Sequence, residues 1–318
     1  MVKKIGVIVV VILFLAYSSF VGYQYYNNYK SLNSLIKTKV ALESDYNSKN
    51  GKITTLEKRI ADLNVEKEAI KVKIIEQENN LKLTNDKIAV RQAEISNSRE
   101  LQLKVNIKNG VGTKMAYLTF DDGPTGYTST VLNILNEYGI KATFFVNGKE
   151  DAYSLGMYRR IVNEGHSIGN HTYYHNYQTN YSSVDAFNHN FNRLQTLILN
   201  TTGVTMDIMR FPGGSNNATA NSYSAGIMDV LTSRYRILGY SYFDWNSSAG
   251  DTAPSGVTTS SVINKITNEC RYKSYVIVLM HDSLPTTPTA LEPVILNLAS
   301  FGFKFRALSS SSSVIQFK

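Results

Sequence analysis

At 318 residues, with 43% apolar and 11% aromatic residues, the chain is too apolar for a disordered protein and long enough for two domains. Its net charge of +8 belongs to the first third: residues 1–110 hold 18 Lys/Arg against 11 Asp/Glu, and residues 111–318 hold 15 against 14. Those lysines alternate with glutamates as on a solvated helix, so no nucleic-acid partner is expected, and the single cysteine, Cys270, excludes an intramolecular disulfide and reads as a small core residue.

Lys3 and Lys4 precede an uncharged stretch from Ile5 to Asn28, whose first half, Val7 to Leu15, is almost purely aliphatic. At about 1.5 Å per helical residue it is long enough to cross roughly 30 Å of hydrocarbon. Tyr23, Tyr25, Tyr26 and Tyr29 follow where an interfacial aromatic belt belongs. Residues 1–29 are therefore expected to form a single-pass anchor in the cell membrane, with everything beyond residue 30 outside. A cleaved signal peptide is the alternative, although Ala16-Tyr17-Ser18 matches the cleavage pattern only loosely.

Over residues 30–100 a seven-residue repeat places Leu32, Lys39, Tyr46, Ile53, Ile60, Lys67, Ile74, Leu81, Ile88 and Ile95 in one register. Leu35, Leu42, Lys49, Leu56, Leu63 and Ile70 fall three residues on, and that set then turns polar with Gln77, Thr84, Arg91 and Ser98. The spacing predicts a coiled-coil stalk, interrupted at Gly51 and fraying after Ile70, that acts as a spacer and pairs with a second copy. One long helix or an intramolecular αα-hairpin are the alternatives. Residues 101–112, with Asn-Gly and Gly-Thr turn signals, read as a linker.

From residue 113 the pattern becomes apolar runs alternating with amphipathic stretches. Strands are expected at 115–121, 142–147, 166–170, 206–211, 236–243, 275–281 and 303–308, and helices at 127–138, 153–164, 182–200, 222–232, 258–270 and 288–300. One helix between each pair of strands is the signature of a parallel α/β domain. Seven units make an incomplete version of the eight-unit barrel. Tyr275 to Met280 is apolar without alternation, as a strand covered on both faces should be.

The strand ends carry the chemistry. Ala116-Tyr117-Leu118-Thr119-Phe120 runs into Asp121-Asp122-Gly123-Pro124, two carboxylates where α/β enzymes keep their polar groups. His171 and His175, four residues apart, fall on one side of a helical turn, and with Asp122 they make a two-His, one-carboxylate set that leaves positions open for water and substrate. His166, inside an expected strand, reads as structural. Arg210-Phe211-Pro212-Gly213-Gly214 ends the fourth strand and offers a guanidinium to hold a carboxylate and glycines that let backbone N–H groups approach a ligand. Asp244-Trp245, then Asp251, follow the fifth strand, and Leu279-Met280-His281-Asp282 ends the sixth.

Together these segments resemble the NodB-homology polysaccharide deacetylases, carbohydrate esterase family 4, over about residues 113–308 and in the family's motif order. Thr-Phe-Asp-Asp-Gly-Pro stands intact at 119–124, His-Thr-x-x-His at 171–175, Arg-x-Pro-x-Gly at 210–214 and Leu-x-His at 279–281. The resemblance implies a distorted, incomplete (β/α)7 barrel at 113–318. It implies Asp121 as catalytic base, Asp122, His171 and His175 as metal ligands, and Arg210 as the partner of the base. It also implies Gly213 as oxyanion donor, His281 as general acid and Leu279 in the acetyl-methyl pocket. Asn176 stands where many members have Pro, and Gly213 where Tyr is usual. The fourth motif departs further. Aligned on Trp245, Ser248 and Thr252 replace an Asp and a Trp, which leaves open whether Asp244 or Asp251 orients His281.

The implied activity is metal-dependent hydrolysis of N-acetyl groups, with Zn²⁺ as default and Co²⁺, Ni²⁺ or Mn²⁺ as alternatives. An exported member is expected to act on N-acetylglucosamine of the peptidoglycan glycan strand. Chitooligosaccharide, poly-N-acetylglucosamine, N-acetylmuramic acid and acetylated xylan are the alternatives, and a glycan-binding scaffold is the reading from another class.

Overall fold

The computed structural model describes residues 2–44, 53–253 and 256–318, and the chain divides into two compact units, Met1–Asn97 and Ser98–Lys318. The first unit holds helix α1 (Val2–Ser44) and most of α2 (Ile53–Lys108). Between residues 58 and 100, the half-covered residues of α2 are Ile60, Leu63, Lys67, Ile70, Ile74, Gln77, Leu81, Thr84 and Ile88, and all others there are exposed. That is the heptad seam, but its neighbour lies in the same chain: Tyr25, Tyr29, Leu32 and Leu35 of α1 line one cleft with Leu63, Lys67 and Ile70 of α2.

The expected coiled-coil stalk, and the homodimer through it, are thereby corrected. Two helices of one chain lie against each other, and the apolar stripe meets its own chain. The expected membrane anchor, its membrane partner and the cell-membrane, extracellular localisation are also corrected. Among the described residues no helix is long and apolar enough to cross a membrane. From residue 14 onward the apolar and aromatic residues of α1 are interleaved with Ser18, Ser19, Gln24, Asn27 and Asn28. The side chains of residues 1–13, which include most of Val7 to Leu15, lie outside the described set, as do Gly51 and the rest of 45–52. The expected linker differs too, because α2 continues to Lys108 and buries Ile107 in the core of the second unit.

The second unit is a parallel α/β sheet. Its strands are β1 (Lys114–Asp121), β2 (Thr143–Val146), β3 (Ser167–Asn170), β4 (Ile208–Met209), β5 (Ser241–Tyr242), β6 (Ser247–Ser248), β7 (Tyr275–His281) and β8 (Phe303–Phe305). The helices between them are α3 (Thr128–Glu137), α4 (Ala152–Asn163), α5 (Tyr177–Tyr181), α6 (Val184–Thr202), α7 (Ile227–Ile237), α8 (Thr259–Cys270) and α9 (Thr286–Ser300). The sheet order is β5-β4-β3-β2-β1-β7-β6, with β8 added on β1. Because β7 pairs with β1 from Met115 to Asp121, β2 and β8 share the other edge of β1, β8 at its start and β2 at its end. The sheet curls into an open half-barrel, with its gap between β5 and β6.

The two faces separate by the strand period of two. Ala116, Leu118 and Phe120 of β1, with Val276, Val278 and Met280 of β7, pack under Leu132, Leu135, Leu291 and Ile295 of the helices. Tyr117 and Ile277 turn the other way, into a separate inner cluster with Phe145, Ile208, Phe243 and Leu308. Continuing that inner period by one or two pleats gives Asp121 on β1, His281 on β7 and Arg210 just after β4. The residues that fill the half-barrel thus hand over to polar groups at its carboxyl end. The fourth and fifth strands are shorter than expected, and residues 236–237 belong to α7, where Ile237 lies on the exposed face.

Candidate active site

Arg210 is the largest fully buried side chain at the site. Nε donates to the Phe243 carbonyl at 2.8 Å, Nη2 to the Asp244 carbonyl at 3.1 Å, and Nη1 to Thr119 Oγ1 at 2.8 Å and Asp121 Oδ1 at 2.7 Å. The guanidinium also lies 4.3 Å from the Phe145 ring centre. A buried cation needs these partners, and in exchange it clamps one oxygen of Asp121. Burial pushes the Asp121 carboxyl above its ordinary range, against the opposing charges of Arg210 and His281.

Asp122 turns out of the strand with φ +72°, and Thr172 sits at φ +66°. Such values are uncommon outside glycine and are found where surrounding structure enforces them. The first swings the Asp122 carboxylate across the strand end. The second, held by the Asn170 side chain, which accepts from Thr172 N at 2.8 Å, folds the histidine segment as a bend and not as the expected helical turn. The bend still brings the His171 and His175 rings to 5.1 Å between centres.

Asp122 Oδ1 stands 3.5 Å from His171 Nε2 and 3.7 Å from His175 Nε2. The three potential ligand atoms lie within 4.8 Å of one another. His171 donates Nδ1–H to the Arg210 carbonyl at 2.7 Å, which directs its Nε2 lone pair at the site. Burial, then the neighbouring His175, depress its pKa to about 3, so the ring is neutral. Asp122 Oδ1 is buried with no hydrogen-bond partner. A neutral imidazole, a second imidazole and an orphaned carboxylate oxygen facing one point fit a divalent cation.

On the opposite wall His281 Nδ1 meets Asp251 Oδ1 at 2.9 Å, and Asp251 Oδ2 accepts from the His281 backbone N–H at 2.8 Å and from Thr287 Oγ1 at 3.2 Å. Burial acts against the imidazolium, but the Asp251 hydrogen bond and the charges of Asp121, Asp251 and Asp122 outweigh it and hold the pKa up to about 9. Of the two carboxylates left open by the sequence, Asp251 is therefore the one on His281. Asp244 instead accepts from Ser215 N at 2.8 Å, Ser215 Oγ at 2.5 Å and Phe317 N at 2.7 Å, which fixes the loop after Arg210. Trp245 packs edge-on against Phe317 with ring centres 5.1 Å apart. Leu279, one inward pleat below His281, is buried and pairs with Ser248.

A polysaccharide deacetylase family profile matches residues 108–227. A peptidoglycan-N-acetylglucosamine deacetylase of Bacillus cereus is 31% identical over 208 residues, covering 62% of this chain and 87% of that protein. A second of the same description and organism is 29% identical over 244 residues, covering 75% and 82%. Among solved structures, the catalytic domain of a peptidoglycan N-acetylglucosamine deacetylase from Eubacterium rectale shares 34% identity, covers 65% of this chain and 94% of that one, and superimposes with a TM-score of 0.63. The chain belongs to the polysaccharide deacetylase family. Its fold and donor set are those of a metal-dependent hydrolase of that family.

As a polysaccharide deacetylase the chain gives roles to two residues of its quoted segments that the sequence left unassigned. Thr119 bridges Arg210 to the Val278 carbonyl, to which it donates at 2.7 Å, but a threonine within a strand carries no signal of this. Asp282 is buried beneath the Asp122-Gly123 turn. Thr128 Oγ1 donates to one of its oxygens, the other has no partner, and burial pushes its pKa up to about 7. A Cβ on Gly123 would stand 2.5 Å from Asp282 Oδ2, so the turn requires glycine. His166 lies at the start of β3, far along the strand from the site, where Nδ1 accepts from Ala142 N at 3.0 Å.

Proposed function

We propose that the chain hydrolyses the N-acetyl groups of N-acetylglucosamine residues in the peptidoglycan glycan strand, releasing acetate. The observation that carries the reading is the Asp122, His171 and His175 cluster set between a clamped Asp121 and an Asp251-bound His281. The relatives named above, described as peptidoglycan-N-acetylglucosamine deacetylases, support the choice of substrate.

Amide hydrolysis needs an activated water, a sink for charge on the tetrahedral oxygen and a proton for the departing amine. A divalent cation held by Asp122, His171 and His175, zinc by default, with cobalt, nickel or manganese also suited to these donors, would polarise the carbonyl and acidify water. Asp121, with Oδ1 tied to Arg210, presents Oδ2 as acceptor for the proton of the attacking water. The new C–O bond places charge on the former carbonyl oxygen, towards which the Gly213 N–H acts as donor. His281, held protonated, gives its proton to the nitrogen as the C–N bond breaks, so the amine leaves neutral. Leu279 and Trp245 wall the pocket that receives the methyl group. Asp244 acts through the Arg210 loop and Asp251 through His281.

Acetate release by the metal-loaded full chain from de-O-acetylated peptidoglycan, N-acetylglucosamine oligomers and acetylated xylan tests the proposal. Release from peptidoglycan with new free amines is expected. Release from soluble oligomers alone would move the substrate to a chitooligosaccharide or exopolysaccharide. Glycan binding without release from any of them would overturn the enzymatic reading in favour of a binding module.

A further inference from the structure

Two departures from the family motifs meet in space. Asn176, where many members have Pro, caps α5: its side chain accepts from Thr179 N at 2.8 Å. The helix therefore opens directly after His175 and sets Tyr177 and Tyr181, four residues apart, on one face. Tyr181 is fully buried and donates its hydroxyl to the Pro212 carbonyl at 2.7 Å. Tyr177 is half-buried, with its ring centre 5.7 Å from that of His175 and 6.0 Å from that of Tyr181.

Gly213, where the family usually has Tyr, lies at φ +78° against this helix. A Cβ built on it would come within 2.6 Å of the Tyr177 hydroxyl oxygen. A side chain at 213 and the observed position of Tyr177 exclude one another, so the phenol of Tyr177 occupies ground that glycine leaves free. Among the described residues neither the Tyr177 hydroxyl nor the Gly213 N–H has a hydrogen-bond partner. Two donors without a partner in the protein thus lie near one another, the Tyr177 hydroxyl where a side chain on Gly213 would stand and the Tyr177 ring beside His175, at the edge of the site. Asn217, the other neighbour of Gly213, is occupied, since it donates to Pro212 O at 3.0 Å and accepts from Thr219 N at 3.0 Å.

We propose that Tyr177 contacts the substrate, its hydroxyl acting beside the Gly213 N–H as second hydrogen-bond donor to the acetyl carbonyl oxygen as that oxygen gains charge. The inference rests on the deacetylase reading above. It predicts a division of labour in which the backbone donor and the phenol share a load that one N–H would otherwise carry.

Tyr177→Phe removes the hydroxyl and keeps the ring, so zinc content and thermal midpoint should match those of the unaltered full chain. On an N-acetylglucosamine oligomer kcat should fall about 10-fold or more, with KM changed less than about twofold, because the donor acts on charge developed in the transition state. Gly213→Ala should displace the same hydroxyl, and the double variant should be little slower than the slower single variant. Acetate, whose carboxylate oxygens meet the same donors, should bind the zinc-loaded Tyr177→Phe protein about fivefold or more weakly by calorimetry. An unchanged kcat overturns the inference, and a rise in KM alone also overturns it, because it makes the phenol a sugar contact. If the unaltered chain releases no acetate from any glycan, the deacetylase reading fails. The acetate affinities of the two proteins then still decide whether this hydroxyl donates at the site.

Discussion

Replacing Asp251 by Asn tests the assignment of His281 as proton donor with little change of shape. In the structure Asp251 holds the imidazole at Nδ1, 2.9 Å away, and holds the backbone of the same residue at 2.8 Å. Burial alone would lower the pKa of His281, yet it stands at about 9 against an ordinary 6.5 because of the Asp251 hydrogen bond and the surrounding carboxylates. A rise of that size is about 3 kcal/mol in favour of the charged ring, at about 1.4 kcal/mol per pH unit. The side chain is only 13% exposed, so solvent screening discounts little of it. Without the Asp251 charge, burial is opposed only by Asp121 and Asp122, and the pKa returns to the ordinary histidine range or below. At a pH between the two pKa values most His281 rings would be protonated in the unaltered chain and few in the variant, so kcat there should fall by about 10-fold or more on protonation alone. The assay is acetate release across pH 5 to 10, with histidine proton resonances followed in parallel. A bound cation lowers the pKa in both proteins, so the quantity read is the separation of their alkaline limbs, expected to be about two pH units. Coincident limbs would refute the reasoning.

Two further outcomes follow from the same contacts. Arg210→Met leaves Asp121 buried without its cation, so stability should fall by about 3–5 kcal/mol in denaturant titrations, and the acidic limb of activity should move to higher pH because Asp121 then protonates more readily. In metal-stripped protein the raised pKa of His281 contributes stability that is fully present below about pH 6.5 and lost as pH rises through about 9. Unfolding midpoints between about pH 7 and pH 10 should show that loss in the unaltered chain, and the slope should be shallower in Asp251→Asn.

Much of this site was legible in the sequence because the strand period carries it. Tyr117, Thr119 and Asp121 occupy one face of β1, so an apolar-to-acidic transition at a strand end already states which way the carboxylate points. Asp122 was legible as the carboxylate that completes the set with His171 and His175, but its direction was not. Its orientation depends on a positive φ that no residue type announces. The same holds for the histidine pair, whose bend at Thr172 replaces the helical turn that i, i+4 spacing suggests. Asp244 and Asp251 were indistinguishable in one dimension because both follow β5 within a few residues, and the choice is made by the path of the Trp245 loop across β6. The N-terminal unit shows the opposite limit. Its heptad pattern identified the covered face of α2 correctly, but a stripe does not name its partner, and α1 of the same chain took the place assigned to a second copy.

The central claim is that Asp122, His171 and His175 hold the cation on which hydrolysis depends. Its most direct test is titration of Zn²⁺ into the metal-stripped full chain while acetate release from peptidoglycan is followed, with His171→Ala alongside. The expected result is no release without metal, activity rising to a plateau at about one Zn²⁺ per chain, and neither tight binding nor release in His171→Ala. Undiminished release from the stripped protein, or full activity in His171→Ala, would contradict the account.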